Sequence, residues 1–183
     1  MERDALVYCI SLIVWKDGSK LSDTMKIVVD GPFLRKSSIC EPILRSLPQW
    51  FGIEKSNIQY LKDIDVLPTF LAFVDGKAVG FITIKQHNEY SAEIHIIGVY
   101  PNLHHQGIGR TLLEKAEELL RQQRIEYLQV KTLSSSSLSE HYAQTRVFYF
   151  AMGFRPLEEL KELWNKENPC LLMVKYLRDS IGK

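Results

Sequence analysis

Cysteine is scarce in this chain: Cys9, Cys40 and Cys170 are 3 among 183 residues, far apart, with no C-x-x-C pair and no histidine at metal-ligand spacing. A disulfide framework and a structural metal site are thereby excluded as organising devices, and free thiols in a reducing compartment are the expectation. A membrane-length hydrophobic run is missing too. The N-terminal candidate, Ala5 to Trp15, is about eleven residues long, against the roughly 20 that span a bilayer. Glu2 and Asp4 offset Arg3 ahead of it, and it leads into Trp15-Lys16-Asp17-Gly18 rather than a small-x-small cleavage site, so a signal peptide is not expected either. An excess of one charge is the third absence. Lys and Arg number 23 against 22 Asp and Glu, a formal charge of +1, which supplies no field to draw nucleic acid or an anionic membrane. A cytoplasmic protein is expected, without nucleic acid or membrane as partner, and any basic site must be local.

What is present is the profile of a globular domain: 45% hydrophobic, 10% aromatic and 25% charged residues. At this length roughly 70% of the unfolded surface can be buried, enough for a core without staples. No repeat or linker divides the chain. Residues 25–183 are expected to form a single domain, with residues 1–24 an extra strand, a docked arm or a floppy extension.

Hydrophobic periodicity sets out the elements. Met25 to Val29 reads as a short strand closed by Asp30-Gly31-Pro32, and Phe33 to Ser46 as a helix. Pro42 inside it must kink the helix or sit in the first turn of a second one. Glu54 to Asp65 is helical, stopped by Pro68. Phe70 to Val74 and Ala78 to Ile84 flank Asp75-Gly76-Lys77, the strongest short-range hairpin signal. Ala92 to Val99 has few exposed positions and is expected at the centre of a sheet. From Ile108 an apolar stripe, with Leu112, Leu113, Ala116, Leu119 and Leu120, marks a surface helix. Glu126 to Thr132 is a strand, Ser134 to Ser139 a loop, and His141 to Met152 a helix ended by Gly153. Pro156 to Trp164 reads as a short amphipathic turn or helix, and Leu171 to Leu177 as the last strand. Strands and helices in this mixed order imply one α/β or α+β sandwich.

The most informative segment is strand, loop, helix: Glu93 to Val99, then Tyr100-Pro101-Asn102-Leu103-His104-His105-Gln106, then Gly107-Ile108-Gly109-Arg110. Glycines at a helix start let unpaired N–H groups, at the positive end of the helix dipole, approach a ligand closely. That suits a phosphate. A dinucleotide fingerprint would need a third glycine where Leu112 stands, and a Walker A loop would need Gly-Lys-Ser/Thr; neither is there.

His105-Gln106-Gly107-Ile108-Gly109-Arg110 followed by Leu112-Leu113 resembles the acyl-CoA pyrophosphate loop of the GNAT superfamily of N-acetyltransferases. Ala92 to Val99 resembles that family's fourth strand, and Phe148-Tyr149-x-x-x-Gly153-Phe154 its second motif. The likeness covers roughly residues 25–177. It implies a GNAT-like mixed, mostly antiparallel central sheet flanked by helices, and acetyl-CoA as cosubstrate, with no metal. Carried over, Ile97, Val99, His104, His105, Gln106, Gly107, Ile108, Gly109 and Arg110 would bind that cosubstrate, the Val99 N–H donating to the thioester oxygen. Two positions depart from the family pattern: His104 stands where Arg or Gln is usual, and Tyr142 where an Asn is often found.

Residue chemistry agrees. Acetyl transfer needs a neutral amine, a polarised thioester carbonyl and a proton for the leaving sulfur. In an extended strand Glu93, His95, Ile97 and Val99 project to one face, so Glu93 or His95 could take the amine proton. Tyr149 is the candidate acid, since a phenol with pKa near 10 stays protonated at neutral pH. Trp50, Phe51 and Tyr60 could wall an acceptor pocket where Asp63 or Asp65 attracts a cationic amine. The expected activity is direct transfer from acetyl-CoA to a primary amine of a small molecule or protein, by a monomer or homodimer. The alternative is a non-catalytic acyl-CoA-binding domain that senses or regulates.

Overall fold

The structure is a computed structural model that describes residues 25–165 and 167–177. The N-terminal stretch 1–24 lies outside the described residues. Seven strands form one sheet: β1 (Val28–Phe33), β2 (Thr69–Val74), β3 (Lys77–Gln86), β4 (Ser91–Val99), β5 (Tyr127–Leu133), β6 (Arg155–Asn165) and β7 (Asn168–Tyr176). Their order across the sheet is β1-β2-β3-β4-β5-β7-β6, so β4 is the middle strand. Every neighbouring pair is antiparallel except β4 with β5, which makes the sheet mixed and mostly antiparallel, as expected. The four helices described are α1 (Ser37–Arg45), α2 (Glu54–Val66), α3 (Ile108–Gln122) and α4 (Glu140–Ala151). Among the described residues no helix is long and apolar enough to cross a membrane.

The two faces of the sheet carry two cores. On one, Cys40, Ile43 and Leu44 of α1 and Ile64 of α2 pack on Leu71, Phe81 and Ile96. On the other, Ile108, Leu112, Leu113, Ala116 and Leu120 of α3, with Tyr149 of α4 and Met152 just after it, cover Phe70, Ile82, Ile94, Leu128 and Met173. The α3 stripe was legible except at one point. Glu117 is buried in it at 3% exposure, held by Arg121 at 2.7 Å and by Lys175 of β7. A buried carboxylate is tolerable only when so paired, and this one ties α3 to the far half of the sheet.

Local chemistry explains where boundaries fall. Asp75 and Gly76, both with positive φ, make the two-residue turn between β2 and β3, which matches the twist of the flanking strands. The first helix starts later than Phe33, because β1 runs on through Asp30-Gly31-Pro32 to Phe33 against β2. Asp65 of α2 then accepts from the Ser37 N–H (3.0 Å) and hydroxyl (2.9 Å), capping α1 from a distance. α1 is one helix with Pro42 inside it.

Two expectations are corrected. Pro156 to Trp164 is neither turn nor helix but the body of β6, paired with β7 from Arg155↔Val174 to Asn165↔Asn168. Leu157, Leu160 and Leu163 recur at helical spacing, yet β7 offers a free edge and tertiary pairing overrides that local signal. Nor do Glu93, His95, Ile97 and Val99 share a face. The β3 register steps from Ile84↔Ile94 to Thr83↔Ile96, leaving His95 as an extra residue in β4. Such a bulge reverses the alternation beyond it. Glu93 and His95 turn toward α2, whereas Ile97 and Val99 pack with α3.

Leu112 is fully buried between α3 and the sheet. Leu112→Ala is expected to lower the unfolding free energy by about 2–5 kcal/mol, read from urea denaturation; a loss under about 1 kcal/mol would show that α3 is not anchored by this stripe.

Candidate active site

The parallel pair β4 and β5 does not stay together. It is bonded from Ser91↔Tyr127 only as far as Ile94↔Val130. Past that point β4 continues to Val99 on β3, and β5 continues to Leu133 on β7. The strands part just where His95 is inserted in β4. A cavity of about 480 Å³ occupies the opening, within the range of small-molecule sites. It is lined from both faces of the sheet, by Trp50, Phe51, Tyr60, His95 and Lys131 and by Ile108, Phe148, Tyr149 and Met152.

The parting leaves backbone groups for a ligand. Tyr100 N–H donates to the Val79 carbonyl of β3 at 3.0 Å. By strand alternation the N–H and C=O of Val99, and of Ile97 before it, turn to the opposite edge, the one β5 has left. There the His104 Nε2–H donates to the Val99 carbonyl at 2.8 Å. His104 thus pins the loop that follows to the end of β4, and its ring meets Trp50 edge-on at 5.9 Å.

Gly107 is the N-cap of α3 at φ 86°, a conformation that favours glycine, and no side chain caps the first turn. A Cβ at Gly107 would meet nothing within 4 Å, and one at Gly109 would touch only the Phe148 ring at 3.4 Å. The space in front of these amides is open to the cavity, which His105, Gly107, Ile108, Gly109 and Arg110 also line. Amides at a helix start beside an arginine fit a diphosphate. Deeper in, Thr132 lines the cavity at 2% exposure with a hydroxyl that has no partner among the described residues. An orphaned buried hydroxyl costs stability unless a ligand satisfies it.

Titratable groups cluster around the opening. His95 Nε2 lies 2.8 Å from Asp63 Oδ2 of α2, with the Tyr60 ring edge-on at 5.7 Å. Glu93 is held by Lys131 Nζ at 2.6 Å and His87 Nε2 at 2.8 Å. Burial pushes its pKa up, but the Lys131 bond and charge and those of His87 outweigh it, leaving the carboxyl below its ordinary range. Tyr149, packed edge-on between Phe148 and Phe154, is buried. Burial, with a smaller contribution from Tyr142, holds its phenol well above its ordinary pKa of 10. Burial likewise lifts Tyr142 to about 12.

Of the residues singled out in the sequence, His95, Tyr149, Ile97, Val99, His104, His105, Gly107, Ile108, Gly109 and Arg110 line the cavity together. Glu93 and Gln106 do not. Glu93 is spent on Lys131 and His87, and Gln106 reaches back to the Asn102 carbonyl at 3.4 Å. Trp50, Phe51 and Tyr60 do form a wall, but Asp63 and Asp65 are committed to His95 and Ser37. Tyr142, at the position of the expected Asn, donates to the Trp50 carbonyl at 3.0 Å, and Trp50 Nε1 donates to Thr145 Oγ1 at 2.9 Å. These two bonds hold the α1–α2 loop across the cavity onto α4. Sequence reading missed Lys131 and Thr132; their signal was two successive polar residues that break the alternation of the strand at Val130-Lys131-Thr132-Leu133.

A mixed sheet opened at its parallel pair, with a Gly-x-Gly helix start beside the opening, is the architecture the sequence resemblance implied. The model of the acetyltransferase (GNAT) family matches residues 40–148, and the chain belongs to that family. It is 28% identical over 116 residues to an uncharacterised N-acetyltransferase of Chlorobaculum tepidum, a match covering 62% of this chain and 64% of the relative's length. A Desulfovibrio desulfuricans protein assigned to the GNAT acetyltransferases superposes with TM-score 0.73 at 17% identity, over 84% of this chain and all (100%) of that one. A GNAT acetyltransferase of Elizabethkingia anophelis with acetyl-CoA bound superposes with TM-score 0.64 at 18% identity, over 85% and 99% of the two chains.

Glu93 contributes stability through its depressed pKa. The contribution is fully present above the ordinary carboxyl value of 4.5 and is lost as pH falls through the lower folded value. Glu93→Gln is expected to cost roughly 1–3 kcal/mol at pH 7, with the gap to wild type narrowing in urea unfolding as the pH falls below the ordinary carboxyl range. A pH-independent gap would contradict the ion-pair account.

Proposed function

We propose that this protein moves the acetyl group of acetyl-CoA to a primary amine by direct attack, with His95 as base and Tyr149 as acid. The observation that carries the reading is the continuous cavity from the α3 N-terminus through the parted strands to His95 and Tyr149. A cosubstrate gripped by its diphosphate at Gly107 to Arg110 would lay its arm along the free edge of β4, as a substitute for the absent strand. The Val99 N–H would then donate to the thioester oxygen. One preorganised donor of that kind is worth about 10² to 10³ in turnover.

The Asp63 carboxylate accepts from His95 Nε2–H, which leaves Nδ1 as the proton acceptor. Asp63 also stabilises the imidazolium that forms, the role a carboxylate plays behind a catalytic histidine. As the amine nitrogen bonds to the acetyl carbon and the C–S bond breaks, Nδ1 takes a proton from nitrogen and the Tyr149 hydroxyl gives one to sulfur. The raised pKa of Tyr149 keeps that hydroxyl protonated through the neutral range. We assign Glu93 the task of holding Lys131, in place of the base role open to it in the sequence, because its carboxylate is not among the groups lining the cavity.

Acetyl-CoA consumption against a panel of amines tests the assignment. His95→Gln is expected to reduce kcat by roughly 10² to 10⁴ with little change in KM for acetyl-CoA, and Tyr149→Phe to act in the same direction. Full activity in both would remove the acid and base roles. Saturable coenzyme A binding without consumption of acetyl-CoA by any amine would favour the sensing domain instead. Gly107→Val, which forces a side chain into positive φ in front of the amides, is expected to weaken coenzyme A binding at least tenfold in a calorimetric titration; unchanged affinity would remove the phosphate cradle.

A further inference from the structure

The described wall of the cavity carries no carboxylate. Among the described residues, none that lines the cavity is Asp or Glu, while Lys131 and Arg110 both do so. Arg110 sits at the start of α3, with the phosphate-binding amides. Lys131 sits at the other end, beside the Glu93 and Asp63 cluster that surrounds Tyr60 and His95. Both acids there are already paired, Asp63 with His95 and Glu93 with Lys131 and His87. A polyamine or aminosugar would bring further ammonium groups against a wall that carries no carboxylate to receive them, and burying an unpaired cation is strongly unfavourable.

Lys131 has the opposite capacity. An ammonium carries three donors, and one is spent on Glu93. The side chain is 28% exposed and lines the cavity, so the remaining donors can meet an anion on the ligand. The same wall carries aromatic rings, those of Trp50, Phe51, Tyr60 and Tyr142 among them. Such a wall suits a compact apolar body. The cavity, at about 480 Å³, must also admit the end of the cosubstrate arm, leaving room for one small acceptor.

Resting on the acetyl-transfer reading above, we infer that the acceptor is a monoamine bearing a carboxylate on an apolar or aromatic body, the chemistry of an apolar α-amino acid, with Lys131 as the residue that receives the carboxylate. With the carboxylate on Lys131, the amine lies toward His95, its body is walled by Tyr60 and Phe51, and specificity is set by a charge-assisted hydrogen bond that a neutral analogue cannot make.

The test compares kcat/KM of the wild type for leucine, methionine and phenylalanine with that for each amino acid's amide, and with spermidine and kanamycin. The acids are expected to exceed their amides by roughly ten- to a hundredfold, the size of one charge-assisted bond, and the two polycations to be poorer still. Lys131→Met is expected to erase the preference for acid over amide chiefly through KM, and Lys131→Arg to restore part of it. Amides turned over as well as acids, a polycation preferred, or Lys131→Met slowing acid and amide equally would each overturn the inference while leaving acetyl transfer standing. Binding of coenzyme A with no turnover of any amine would overturn acetyl transfer itself, and this inference with it.

Discussion

Two parallel strands that stop bonding to each other halfway along their length are the constraint on which this molecule turns. A strand edge in the middle of a sheet cannot be left bare, because each buried N–H or C=O without a partner is costly. β4 manages the cost by giving up β5 only beyond Ile94, keeping β3 throughout, and letting His104 take the Val99 carbonyl. What is left is a short row of backbone groups facing a cavity. The bulge at His95 belongs to the same device, since it sends His95 to one face of the sheet and Ile97 and Val99 to the other. The opening is therefore lined from both faces of the sheet.

The helices hold that opening rather than create it. α3 fixes its N-terminal amides beside the gap because its apolar stripe is buried and Glu117 bridges to Lys175. α2 brings Asp63 behind His95, and Asp65 of the same helix caps α1. The α1–α2 loop is fastened to α4 through Trp50, Tyr142 and Thr145, with the Trp50 ring also against His141 at 4.9 Å. Trp50 and Phe51 of this loop give the cavity an aromatic wall, and Lys131, paired with Glu93, lines it as well.

Much of this was legible in the residues. The Asp75-Gly76 turn, the middle position of β4, the α3 stripe and the Gly107 helix start all follow from local chemistry that tertiary contacts reinforce. The parts that were not legible depend on pairing between distant segments. Pro156 to Trp164 has helix-like spacing and becomes strand only because β7 is beside it. The face reversal in β4 needs one unmatched residue opposite Thr83 and Ile84, which no pattern in Ala92 to Val99 announces. For the same reason Glu93 looked available: its neutralisation by Lys131 and His87 joins three segments. Lys131 and Thr132 could have been noticed as successive polar residues in the strand, but nothing in the sequence says that both line a cavity and that Lys131 also meets an acid.

The central claim is that the free edge of β4 is where a thioester is aimed. A crystal structure of the protein with coenzyme A bound tests it most directly. The account predicts the diphosphate on the amides of Gly107 to Arg110, the pantetheine arm along Ile97 to Val99 in the place of the missing strand, and the sulfur between His95 and Tyr149. Coenzyme A seated elsewhere on the molecule, or with its sulfur outside the gap between β4 and β5, would contradict it.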